Sequence, residues 1–82
     1  MNYTERLDVL IPTITGVRDQ CAWQDLIKMN STLRKLAVQL SVSAVECRRI
    51  HRPTSTFVAL DAKFNELYTE LEQWLTFALL KD

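Results

Sequence analysis

The 29 residues from Trp23 to His51, WQDLIKMNSTLRKLAVQLSVSAVECRRIH, decide the fold of this chain. Leu26, Met29, Leu33, Leu36, Leu40, Ser43, Cys47 and Ile50 fall at alternating steps of three and four, the a and d positions of a heptad. That spacing predicts one helix with one apolar seam. A seam of that length must be covered by a partner helix or two. The segments on either side supply candidates.

Upstream, Leu7, Leu10, Ile14, Val17 and Cys21 keep the same spacing, with Thr4 as a candidate N-cap and Glu5 in the first turn. Pro12 should kink this first helix, because it removes one backbone donor and crowds the carbonyl of Asp8. Gly16 weakens it further, so a start near Pro12 is the alternative. The step of five from Cys21 to Leu26 breaks the periodicity and places the first turn there. No Gly or Pro marks that turn, which leaves an uninterrupted helix from Val17 onward as an open alternative.

Downstream, Arg52-Pro53-Thr54-Ser55 disfavours helix before the proline and offers hydroxyl caps for a new one. A third helix over 56–80 then carries Phe57, Leu60, Phe64, Leu67, Leu71, Trp74 and Ala78 on its seam, widened by Tyr68 and Leu75. So short a connection makes the two long helices antiparallel neighbours. Charge supports the pairing. Residues 22–52 carry six basic side chains against two acidic ones, and residues 53–82 two against five. The expected fold is all-α: one domain over 1–82, an antiparallel hairpin of two long helices with a shorter kinked N-terminal helix, a three-helix bundle that could pair as a dimer.

Composition narrows the function. With 82 residues the chain is near the lower size limit for a self-sufficient core. Ten Lys and Arg balance ten Asp and Glu, so no global field draws the protein to nucleic acid or an anionic membrane. No apolar run reaches the roughly 18 residues of a membrane span. The N-terminus lacks the basic and then apolar pattern of a signal peptide, and the two cysteines fit reduced, buried thiols better than a disulfide framework. A cytoplasmic protein is expected.

Chemistry is poorly represented. Cys47 and His51 share one helical face, but a structural zinc needs four ligands and the chain has one histidine. The acids of the third helix read as a solvated face, and neither a phosphate loop nor a positioned nucleophile accompanies the histidine. No catalytic residue, metal or cofactor is expected, and the chain is not read as an enzyme.

Two binding readings remain. In the first, the central helix is continuous and Val38, Val42 and Val45 form a second apolar strip off the seam, with Arg34, Lys35, Arg48 and Arg49 near its edges. These seven residues are the candidate partner-binding site, suited to an acidic amphipathic segment of another protein. Self-association as a homodimer competes for the same strip. In the second, residues 36–50 are a helix-turn-helix, with Ala37 as the small residue, Ser41-Val42-Ser43 as the turn and a capping box from Ser43 to Glu46. Ala44, Val45, Arg48 and Arg49 would then face DNA, with the third helix dimerising the protein. Ser41 stands where glycine is usual, and few bidentate side chains face the groove, so DNA is the weaker reading.

The amphipathic first helix, Ala22-Trp23-Gln24-Asp25-Leu26 opening a second helix through Leu33, Leu36 and Leu40, and a long third helix with Phe64, Leu67 and Leu71 together resemble the flagellar export chaperones of the FliT family. The likeness spans most of the chain, chiefly at generic apolar positions, with Trp23-x-x-Leu26 its most specific part. The chain departs from that pattern at Pro12, in lacking a glycine before Trp23, and in having no room for an added C-terminal regulatory helix. The resemblance implies a cytosolic helical chaperone holding the C-terminal segment of a secreted structural protein and releasing it to an export ATPase. A phage- or plasmid-encoded inhibitor of a host protein would share this physical profile.

Overall fold

The computed structural model describes residues 2–81, Lys81 by its backbone alone. Three helices follow one another: α1 (Tyr3–Thr15), α2 (Gln20–Ile50) and α3 (Ser55–Lys81). The all-α three-helix bundle expected from the spacing is the fold observed. Helices α2 and α3 form an antiparallel hairpin that gives the molecule its 48 Å length.

The helix ends obey local chemistry, not always at the residues first expected. Asn2, not Thr4, caps α1, its side chain accepting from the Glu5 N–H at 2.8 Å. Helix α1 runs through Pro12, which lies on its exposed side, and therefore does not start there. The first turn lies at Gly16–Asp19 and not between Cys21 and Leu26, because Asp19 caps α2 by accepting from the N–H groups of Cys21 and Ala22. A carboxylate there also complements the positive end of the helix dipole. Cys21 is consequently an exposed first-turn residue and not a seam position, and both cysteines are free thiols.

The second turn is where Pro53 predicts it. His51 adopts a left-handed conformation (φ 59°, ψ 34°) that closes α2, and Thr54 Oγ1 accepts from the Phe57 N–H to start α3. Cys47 belongs to this turn, its Sγ accepting from the Thr54 N–H at 3.4 Å.

Between these caps α2 is unbroken for 31 residues. Ser41 donates to the Ala37 carbonyl within the helix, and Ser43 with Glu46 opens no new helix. The bend required by a helix-turn-helix over 36–50 is absent, and Ser41 finds its hydrogen bond without leaving helical geometry.

The core holds Leu7 and Ile14 from α1, Val17 from the first turn, Leu26, Leu33, Ala37 and Leu40 from α2, and Phe64, Leu71, Leu75 and Ala78 from α3. Each fully buried Leu or Phe contributes roughly 1.5–3 kcal/mol before entropy, more than the ~0.2–1 kcal/mol of an exposed ion pair. Helix α1 runs antiparallel to α2 and parallel to α3. Tyr3 meets Asp61 and packs edge-on against Phe64, and the Arg6 guanidinium lies over the Tyr68 ring at 4.4 Å. Its presence rotates the most buried stripe of α2 to Leu26, Asn30, Leu33, Ala37 and Leu40, leaving Met29 and Leu36 half-buried.

Helix α1 covers only the end of the hairpin remote from the His51 turn. From Ser41 to Leu60 no described residue is fully buried, and this part is a two-helix arm. At the opposite end the seam of α3 departs from expectation. Leu75 is buried and Trp74 is 55% exposed, because the apolar step after Leu71 is four residues and not three.

Candidate functional site

Two apolar surfaces lie outside the core. The first is the outer face of α2. Because the helix continues through Ser41–Ser43, Val38, Val42 and Val45 recur at steps of four and three and point away from the α2–α3 seam, with exposures of 66%, 68% and 58%. At 100° per residue the same row continues to Lys35 on one side and to Arg49 on the other. Valine is stiff at χ1, so this is a low, preformed ridge with basic ends.

The basic residues expected beside it divide into two groups. Lys35 and Arg48 are exposed. Arg34 turns to the other side, bonding Asp8 at 2.7 Å and the Asn30 side-chain carbonyl at 2.9 Å, and so ties α2 to α1. Arg49 pairs with Glu46 one turn back. Its guanidinium holds the Glu46 carboxyl below the usual carboxylate range. Of the seven candidates, the structure thus sets Val38, Val42, Val45, Lys35, Arg48 and Arg49 along one exposed side of α2, and takes Arg34 out of it.

The second surface has no counterpart in the sequence reading. On α2, the positions facing α1 (Asn30, Arg34) and those facing the other way (Ala22, Asp25, Met29) flank Leu26 and Leu33, roughly 100° apart. On that far side a groove of about 480 Å3 opens between α2 and α3, lined by Asp19, Ala22, Asp25, Leu26, Lys28, Met29, Trp74, Phe77 and Ala78. No α1 residue lines it. Trp74 and Phe77, each 55% exposed, meet edge to face at 6.3 Å along its α3 side. One sequence signal pointed here. The run Trp74-Leu75-Thr76-Phe77-Ala78-Leu79-Leu80 holds more apolar residues than one seam can take, and only Leu75 and Ala78 are buried.

Among the described residues no group of three or more His, Cys, Asp or Glu could hold a metal ion. Cys47 is engaged with Thr54, and His51 is exposed in a turn. No helix of the described residues is long and apolar enough to cross a membrane. Compared with known proteins, the chain matches no family model, no curated protein and no solved structure.

Proposed function

We propose that this chain is a helical protein-interaction module that binds and sequesters a partner protein, taking an acidic amphipathic helix of that partner against the outer face of α2. The observation that supports this most is the unbroken course of α2 through Ser41–Ser43, which leaves three valines more than half exposed in one row. A small protein gains solubility by hiding such a row, so its retention on a rigid helix favours an occupant. Helix against helix is the simplest docking mode for a ridge spaced four and three.

Charge chooses among occupants. Lys35 stands at one end of the ridge and Arg48 and Arg49 at the other, with Glu46 as the nearby acid, so two ridges from identical chains would oppose like charges. In an antiparallel pairing centred on Val42, Lys35 would face Arg49; in a parallel pairing each residue would face itself. A partner helix with a short apolar row and acids at both ends avoids that cost and gains faster encounter. Holding a partner in this way is what a chaperone or an inhibitor in the cytoplasm would do.

The test uses synthetic helical peptides with a two-turn leucine row, one bearing glutamates at both ends and one bearing lysines. The acidic peptide should bind and the basic one should not. Val42→Asp should abolish binding while changing folding stability by no more than about 0.5 kcal/mol, as expected for an exposed position. Failure of both peptides to bind would reject the reading.

A further inference from the structure

The geometry points to a second copy of this chain as the occupant of the α2–α3 groove, entering it with the outer face of its own α2. The two apolar surfaces are complementary rather than self-complementary. The groove is aromatic and mostly acidic at its rim, with Asp19 and Asp25 against Lys28. The ridge is aliphatic and basic at its ends. The ridge is also short enough to seat there: the α2 wall of the groove, Asp19 to Met29, runs about 15 Å at 1.5 Å per residue, and Val38 to Val45 about 10 Å. A low valine ridge fits between the α2 wall and the two large flat rings on the α3 side better than a second pair of rings would, and one basic end of the ridge would then lie beside the rim carboxylates.

Such a contact is heterologous: one face of the first copy meets a different face of the second. Its consequence is regulatory. A copy whose valine ridge lies in its neighbour's groove cannot present that ridge to a partner protein, so self-association would hold the module in a closed store that an acidic partner helix opens by competition. This role rests on the proposed function of the ridge, although the contact itself does not. The area is at most that of a transient interface, so the store would empty on dilution and, because the rim charges are exposed, in high salt.

Complementary variants test it on the intact chain. Val42→Asp spoils the ridge and leaves the groove, whereas Trp74→Ala with Phe77→Ala spoils the groove and leaves the ridge; all three residues are exposed. By light scattering, the unaltered chain should rise above its monomer mass of 9.5 kDa with concentration, and each variant alone should stay at that mass. An equimolar mixture of the two should approach twice it, since each supplies the half the other lacks. A symmetric ridge-to-ridge or groove-to-groove contact cannot give that recovery. A chain that stays monomeric at every concentration, a single variant that still associates, or a mixture that does not would each overturn the contact. If it is overturned while the acidic peptide still binds a monomer through Val42, the proposed function stands without it.

Discussion

Tyr3 and Asp61, at the start of α1 and on α3, are joined by a hydrogen bond of 2.6 Å in which the phenol donates to the carboxylate. Partial burial and this bond to an anion push the Tyr3 hydroxyl up to about 12 from an ordinary value of 10.0. The folded state therefore keeps its proton longer than the unfolded chain. The contribution is complete below pH 10 and is lost as pH rises toward 12. Alkaline melting should show stability falling across that window, with a smaller fall in Tyr3→Phe. At neutral pH, Tyr3→Phe should cost about 1 kcal/mol, read from the midpoint of urea unfolding.

The serines of α2 and its cap give a test of sign. Ser43 lies in mid-helix, so Ser43→Ala should stabilise by a few tenths of a kcal/mol through helix propensity. Were Ser43 a helix cap, the same change would cost about 1 kcal/mol. Asp19→Ala, which removes a true cap, should destabilise by about that amount. Denaturant midpoints of the two variants should therefore move in opposite directions.

His51 closes α2 in the left-handed region, where a side chain is strained and glycine is not. His51→Gly should raise stability by about 0.5–1 kcal/mol, the relief of Cβ crowding exceeding the added freedom of the unfolded chain. A lower melting temperature would show that the imidazole does more in this turn than tolerate it.

Asn30 is buried in the stripe of α2 that faces α1. Its carbonyl accepts from Arg34, and its side-chain nitrogen has no hydrogen-bond partner among the described residues. Asn30→Leu should stabilise the bundle by about 1 kcal/mol, since an unsatisfied buried amide costs more than one net hydrogen bond returns. A polar residue at such a position fixes register at the expense of stability. The variant should accordingly show broader amide resonances for α1 despite a higher melting temperature.

Much of this architecture was legible in the chain itself. The three-four spacing of α2 and the proline-hydroxyl turn before α3 specified a hairpin, because burial of one stripe and loss of one backbone donor are local, strong effects. What escaped depended on tertiary context. Asp19 as a cap looked like any surface acid until the helix started beside it. Asn30 did not read as a core residue because its burial is imposed by α1. Trp74 and Leu75 are adjacent apolar residues, and spacing alone could not decide which of them turns inward. The valine ridge was readable because it needs only that the helix continue, whereas the aromatic groove needs the positions of two helices at once.

The two-helix arm from Ser41 to Leu60, beyond the reach of α1, has a dynamic consequence. Helices that shield each other without any fully sequestered side chain can separate at little free-energy cost, so this arm should behave as its own opening unit. Amide protons there should exchange with deuterated solvent well before those around Leu33 and Leu71, and a protease should nick the chain first near Arg52. A ligand helix laid along Val42 would slow both processes, making solvent exchange a direct reporter of occupancy.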